Sequence, residues 1–381
     1  LSRSSMPSAP GHLPTRLQDL PPRQARFCLD IESFFLDIAP PGLAPGAALA
    51  VAFSHGADST ALLLALYYLA PRLGISLLAC HLDHGLRPTS GAEARDAAAF
   101  CRTLGIACRC EREDVAGLAR ERGMGLEEAG RLARYAFFER VRIHTGAVLI
   151  CLGHQLDDLC EDVILRLTRG AGWPGLGGMA AADPERALAR PLLMTPKARI
   201  EEFLRELGAG WIEDASNAGL DFRRNRIRNA VMPLLAEENP GLGQAVSRLW
   251  RLARLDADYF EGLTAAHLAA EPDPGTRPGP EPAGGRERAG QGAIVTRARE
   301  LAGVHPALRL RLYKAALDRL GPGESRAETI FDLDEAFQEG RLGRVFQFPG
   351  GKLARITSRG VEFFRIAGPL KPGRSSRRKE F

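Results

Sequence analysis

The sequence has no uncharged apolar run of about 18 residues, so no membrane-spanning helix is expected. It opens without the continuous apolar stretch that marks a secretory signal. No C-x-x-C pair occurs. The seven cysteines stand singly or as Cys108-Arg109-Cys110, and an odd number without a secretory signal argues for reduced thiols rather than disulfides or zinc. A G-x-x-x-x-G-K-[ST] loop is missing too, which excludes a Walker-type ATPase. The expectation left standing is a cytoplasmic protein with no membrane partner. Residues 1–26 are rich in Arg, Ser and Pro, with Asp19 as their only acid, and read as a flexible extension.

A chain of 381 residues exceeds one ordinary core, which predicts two or three domains. Its 45% hydrophobic and 25% charged residues are those of a globular protein. The net charge of +5 is unevenly spread. Arg223, Arg224, Arg226 and Arg228 form one cluster, and Lys371, Arg374, Arg377, Arg378 and Lys379 form another. Such clusters suit a polyanionic partner, and charge alone fits a solvated basic face equally well.

From residue 47 to about 212, short apolar runs alternate with helical patterns. Strands are expected at Ala47–Ser54, Ile75–His81, Ala107–Glu111 and Ala147–Gly153. Helices are expected over Thr60–Ala70, Gly91–Leu104, Leu126–Ile143 and Leu156–Thr168. This alternation predicts an α/β fold, a parallel sheet with helices on both faces. Ligands then belong beyond the carboxyl ends of the strands, near Ser54, Asp83 and Gly153. Helices follow at 196–208, 225–237 and 240–269. Eleven of the 22 residues from Glu271 to Gly292 are Pro or Gly, the composition of a linker. Beyond it, helices near 297–302, 306–320 and 326–338 and strands at 344–348, 352–357 and 361–366 predict a small α+β module. The resulting divisions are 1–44, an extension with a leading helix; 45–236, the main domain; 237–270, a helical connector; 271–292, the linker; 293–366, the small domain; and 367–381, a basic tail.

Ser54-His55-Gly56-Ala57-Asp58-Ser59 joins a strand to a helix. Small residues there let backbone N–H groups approach phosphate oxygens at a helix N-terminus, and Ser54, Ser59 and Thr60 add hydroxyl donors. Asp58 would repel naked phosphate, so it makes sense beside a bridging Mg2+. A plain helix cap would give the same local pattern. A second strand-to-helix junction, Gly153-His154-Gln155-Leu156-Asp157-Asp158, carries four acids within six residues, Asp157, Asp158, Glu161 and Asp162. Asp157 and Glu161 are spaced i,i+4 and Asp158 and Glu161 i,i+3, so they share a face. That arrangement favours a cation site, although acids also suit a helix N-terminus for dipole reasons.

The loop resembles the S-G-G-x-D-S signature of the N-type ATP pyrophosphatase (PP-loop) superfamily, with His55 where glycine is usual. If that position needs positive φ, histidine is strained there, or its ring reaches a phosphate instead. Further stretches are similar to the tRNA(Ile)-lysidine synthetase family. They are His81-Leu82-Asp83-His84-Gly85-Leu86-Arg87, the helix containing Glu127, Arg131, Arg134 and Tyr135, and the glycine-rich Arg166–Gly178 with Arg169 and Trp173. Glu213-Asp214-Ala215-Ser216-Asn217, followed by Arg224-Asn225-Arg226-Ile227-Arg228, is the most discriminating. Phe337–Gly340 and Phe348–Lys352 resemble the family's C-terminal domain, so the likeness spans about residues 45–366. The acidic junction matches the family's pattern except at Gln155, which leaves His154 as the only imidazole.

The resemblance implies ATP held by Ser54, His55, Gly56, Ala57, Asp58, Ser59, Asp83, His84, Arg87 and His154. It implies catalysis by Asp58, Asp157, Asp158 and Arg131, with Mg2+ on Asp58, Asp158 and Glu161. Glu127, Arg134, Arg169, Asp214, Asn217, Arg224, Asn225 and Arg228 are implied to hold substrate or tRNA. The implied reaction adenylates cytidine 34 in the CAU anticodon of tRNA(Ile), after which free L-lysine displaces AMP to give lysidine. Asp157 or Asp158 is then expected to receive the lysine amine and act as base. Two other readings remain, a tRNA thiolase, which the lack of a cysteine pair disfavours, and a catalytically degenerate tRNA-binding module, motivated by His55 and Gln155. A homodimer is compatible with the sequence.

Overall fold

The computed structural model describes residues 13–37, 43–86, 90–213, 223–269 and 293–366. The linker at 271–292 and the basic tail lie outside them. The chain divides into two compact units, Leu1–Leu252 and Ala253–Phe381. No described helix is long and apolar enough to cross a membrane.

The first unit opens with α1 (Pro22–Asp37), whose proline sits in the first turn, where a missing N–H costs no hydrogen bond. Phe27, Ile31 and Phe35 recur every four residues and form its buried stripe. Strand β1 (Ala48–Ala52) leads into α2 (Ala57–Leu73), buried without a break from Ser59 to Leu66. Then come β2 (Ser76–Asp83), α3 (Ser90–Thr103), β3 (Ala107–Arg112), α4 (Val115–Arg122), α5 (Leu126–Thr145), β4 (Leu149–Cys151) and α6 (Leu156–Leu167). Two-residue strands β5 (Ala182–Asp183) and β6 (Leu188–Ala189) precede α7 (Lys197–Leu207).

The strand order is β3-β2-β1-β4-β6-β5, parallel throughout except for β5. Along β1, Leu49 and Val51 enter a core shared with α1, α2, α3 and α7, while Ala50 faces the other side, against Phe137, Phe138 and Val141 of α5. Side chains alternate across a strand, so the sheet is covered on both faces, as the apolar strands predict. Strands β2 and β4 flank β1, and the direction of winding reverses between β1 and β4. That reversal opens a crevice at their carboxyl ends, where ligands of such sheets bind.

Three features depart from the expected pattern. Strand β4 has three residues rather than seven, and β5 and β6 are too short to show any alternation. Helix α4 went unread because it is only eight residues long and contains Gly117; Asp114 caps its start and Gly123 ends it. The segment after residue 222 is one helical run broken by a wide turn. It comprises α8 (Arg223–Arg226), a π-helical turn Ile227–Val231, and α9 (Met232–Glu238). Pro233 has no N–H for the ladder and crowds the carbonyl four residues earlier, which accounts for the widening. Helix α10 (Leu242–Ala269) follows, and the boundary between units falls within it.

In the second unit, β7 (Ile294–Arg297) precedes α11 (Ala298–Ala302), α12 (Pro306–Arg319), α13 (Ala327–Gln338), β8 (Val345–Phe348), β9 (Lys352–Thr357) and β10 (Gly360–Arg365). Its antiparallel sheet runs β7-β10-β9-β8. Tyr313, Leu317, Leu333, Ile356 and Phe363 form the core. Lys352 is fully buried, its ammonium donating to the carbonyls of Gly321 (3.2 Å) and Gly323 (2.5 Å).

Candidate active site

The crevice is lined by two strand-to-helix junctions. At the first, Gly56 caps α2 from an extended conformation, and Ser54 and Ser59 knit the loop together. Ser54 Oγ lies 3.1 Å from Ser59 Oγ and accepts from Gly56 N–H at 3.3 Å. Ser59 Oγ donates to the Gly56 carbonyl (3.1 Å) and accepts from Ser54 N–H (3.2 Å). The N–H groups of Ala57, Asp58 and Ser59 have no acceptor within the helix, so they form an anion cradle.

His55 has φ +63°, the left-handed conformation its family position suggests. Its ring does not reach toward the loop's N–H groups. It is 4% exposed, packed 5.3 Å from the Phe53 ring and 5.0 Å from that of Phe100, with neither ring nitrogen hydrogen-bonded. Burial lowers its pKa, so the ring is neutral. Its carbonyl accepts from Ile212 N–H at 2.8 Å, tying the loop to the segment that follows α7. The contribution of His55 to the loop is therefore through its backbone.

At the second junction, Gln155 caps α6. Its side chain accepts from Asp157 N–H at 2.7 Å, and Asp158 accepts from Gln155 N–H at 3.1 Å, a reciprocal capping box. The departure from the family pattern at Gln155 thus has a structural use. Gly153 brings the two junctions together: a Cβ there would stand 3.1 Å from the backbone of Asp58 and Ser59, so only glycine fits without displacement.

Residues treated separately in the sequence converge here. Arg224 and Arg228, one turn apart, grip the acids of α6. Arg224 donates to Asp158 (2.6 Å) and Glu161 (2.9 Å), and Arg228 donates to Glu161 (2.5 Å) and Asp158 (3.0 Å). Glu161 is 2% exposed, and both its oxygens are occupied by these arginines. Asp157 is solvent-accessible and outside this pairing. Crowding by protein and the negative charges of Asp158, Glu161 and Asp58 push its pKa upward.

Asp58 has a partner that the sequence reading missed. Lys197, the first residue of α7, lies 2.7 Å from its carboxylate. Burial raises the Asp58 pKa, against the lowering effect of Lys197. The available signal was compositional, since Lys197 is the first lysine in an arginine-dominated chain. Arg190 was also missed. It is 7% exposed and donates from Nε to His154 Nδ1 at 3.2 Å.

Asp83 accepts from Gly85 N–H at 2.8 Å. Burial acts to raise its pKa, but Gly85, Ser90 and Arg112 together lower it, so Asp83 is an ionised turn anchor. His84 follows β2 at the same rim. Glu127 is exposed in the first turn of α5 and makes no ion pair among the described residues. Arg131 lies over the Tyr135 ring at 5.0 Å, with Arg186 at 5.4 Å. Burial and the neighbouring Arg131 and Arg224 lower the pKa of Arg134, although Tyr135 opposes them. Arg169 is exposed and Asn225 half-buried. Trp173 is 39% exposed. Arg87, Asp214 and Asn217 lie outside the described residues.

The residues present suit a cation at each of Asp58 and Asp157. Asp58 already holds a cation, the Lys197 ammonium, and Asp157 is a carboxylate surrounded by like charge that a cation would relieve. Asp158 and Glu161, also expected as ligands, are already neutralised by arginine. Among the described residues no three His, Cys, Asp or Glu side chains are arranged to hold a metal by themselves. All seven cysteines are free, and none forms the close ligand set that a cluster-dependent thiolase needs.

Comparison with known proteins agrees with this geometry. The family profile described as a PP-loop domain matches residues 30–235. A tRNA(Ile)-lysidine synthase of Nitratidesulfovibrio vulgaris is 50% identical over 307 residues, covering 80% of this chain and 88% of that protein. One from a Methylobacterium species is 36% identical over 332 residues, covering 86% and 89%. Among solved structures, a U34-tRNA thiolase of Methanococcus maripaludis aligns with a TM-score of 0.50 at 18% identity, over 61% of this chain and 80% of that one. At that identity the likeness establishes a shared fold.

Proposed function

The chain belongs to the tRNA(Ile)-lysidine synthetase family of PP-loop ligases, and from that premise we propose how its residues divide the work of making lysidine in tRNA. The proposed substrates are ATP, free L-lysine and tRNA(Ile) with a CAU anticodon. The N–H groups at the start of α2 and the hydroxyls of Ser54 and Ser59 bind the ATP phosphates. Lys197, held at Asp58, supplies a positive charge next to them. Bound Mg2+, carried by Asp58, would neutralise charge on the phosphates.

In the first step the C2 oxygen of cytidine 34 attacks the α-phosphorus and pyrophosphate leaves. In the second, the lysine ε-amine attacks C2 and AMP departs. The amine must lose a proton to attack. Asp157 is the carboxylate of the junction left unpaired by arginine, and its raised pKa suits a group that takes up that proton. Asp158 and Glu161 instead hold Arg224 and Arg228 in place, and those guanidinium groups keep their remaining donors for phosphate or adenylate oxygens.

The observation that carries this reading is the close approach of Gly153 to Asp58 and Ser59, which joins an anion cradle to an acidic, arginine-braced helix. His55 and Gln155 both have structural explanations, so neither supports a degenerate binding module. Mass spectrometry of CAU-anticodon tRNA incubated with ATP and lysine tests the activity, with a mass gain of one lysine residue expected. Asp157→Asn is expected to release pyrophosphate in the presence of tRNA while incorporating little lysine. Full lysine incorporation by that variant would remove Asp157 from its assigned role.

A further inference from the structure

Arg190 is a cation in an unusual position. It follows the two-residue strand β6 and is 7% exposed, and the nearby carboxylate, Asp183, is ion-paired with Arg186 instead. Its Nη1 donates to the Ala180 carbonyl at 2.7 Å, and its backbone N–H donates to Ala181 O at 2.8 Å. Thus anchored, its Nε points at His154 Nδ1, 3.2 Å away. A guanidinium carries only donors, so Nδ1 must be the accepting, unprotonated nitrogen. The ring proton is then on Nε2. His154 directly follows Gly153, the residue seated against the phosphate loop.

We propose that Arg190 is a positioning residue that fixes His154 with its proton on Nε2, making that N–H a preset donor to a phosphate oxygen of the bound nucleotide. The inference rests on the nucleotide reading of the loop. It gives His154 a task opposite to the usual one for an active-site histidine, because it is neither base nor acid. Supporting this, burial and the positive charges of Arg190, Arg224, Arg134 and Arg131 hold its pKa down to about 3, so a proton is not taken up near neutrality. A fixed neutral donor needs no rearrangement as charge builds on phosphate, the property that makes such donors effective.

The test is NMR of the full chain labelled with 15N at histidine, with the His154 signals identified by their loss in His154→Gln. The expected wild-type spectrum has Nε2 protonated and Nδ1 bare, with no titration from pH 5 to 8. Adding a non-hydrolysable ATP analogue with Mg2+ should move the Hε2 resonance. Arg190→Met should redistribute the proton between the ring nitrogens, whereas Arg190→Lys, which keeps a donor, should retain the wild-type pattern. In parallel, Arg190→Met should slow tRNA-dependent pyrophosphate release roughly a hundredfold with much less change in KM for ATP, and Arg190→Lys should recover most of it. A proton on Nδ1 in the wild type, or an unchanged pattern in Arg190→Met, overturns the proposal. Analogue binding, followed by equilibrium titration, with Hε2 unmoved would overturn the donor role and leave the nucleotide site standing. Failure of the analogue to bind would sink the nucleotide reading and the donor role together.

Discussion

Replacing His55 by glycine and, separately, by alanine isolates the backbone strain in the phosphate loop. Both substitutions remove the ring wedged between Phe53 and Phe100, and both remove two buried nitrogens without partners. Those effects oppose each other, the lost aromatic contacts being worth about 0.5–1.5 kcal/mol apiece and each relieved nitrogen about 1–3 kcal/mol. They are common to the two variants and cancel in the comparison. What differs is the Cβ at φ +63°, a conformation costing an L-residue about 1–2 kcal/mol and glycine almost nothing. Against that, glycine loosens the unfolded chain by about 0.4–1 kcal/mol relative to alanine. His55→Gly should therefore be more stable than His55→Ala by roughly 0.5–1 kcal/mol. The chain's three tryptophans, Trp173, Trp211 and Trp250, all lie in the first unit, so their fluorescence during urea unfolding follows that unit alone. The midpoints should differ by about 0.3 M in favour of glycine. Equal midpoints, or a higher one for alanine, would mean that the loop is not strained at residue 55.

The pH response and the second unit supply two further expectations. His154 has a folded-state pKa near 3, below its ordinary 6.5, so between those values the unfolded chain binds more protons. Its contribution is fully present above pH 6.5 and is lost as the pH falls toward 3. Between pH 6.5 and 5 the loss should reach up to about 2 kcal/mol, and urea midpoints of His154→Gln should fall less steeply over that range than those of the wild type. Matching slopes would refute the burial of a neutral imidazole. In the second unit, Gly350 has φ +80° and a Cβ there would stand 2.0 Å from the Pro322 carbonyl. Gly350→Ala should cost about 3 kcal/mol or more, seen as faster hydrogen exchange at β8 and β9; unchanged exchange would mean that the two loops are not interlocked.

The parallel sheet was legible because β1 and β2 are apolar enough, and long enough, to be recognised without their neighbours. The two-residue β5 and β6 were not, since they exist only as pairing partners for β4 and each other. Within the site, local motifs located the loop at Ser54–Ser59 and the acids at Asp157–Glu161. The ion pairs across it escaped, because nothing near Asp58 in sequence points to Lys197, and nothing near Glu161 points to Arg224 and Arg228. Charge clusters were read one at a time, as metal ligands or phosphate clamps. In the fold they satisfy one another, and Asp157 is what remains. His55 shows the reverse case: its strained backbone was anticipated from the sequence, whereas its ring's place between Phe53 and Phe100 depended on a helix far along the chain.

The placement of β1 at the middle of its sheet also bears on how the protein is made. Leu49 pairs with Leu149, so the two halves of the crevice are separated by two strands and four helices that must emerge and pack before they meet. A ribosome-bound chain ending at β3 would carry the anion cradle but none of the acids or arginines that complete it. Such non-local closure is slow relative to helix formation, and it makes capture of ATP a late event, available only to chains that have finished the sheet.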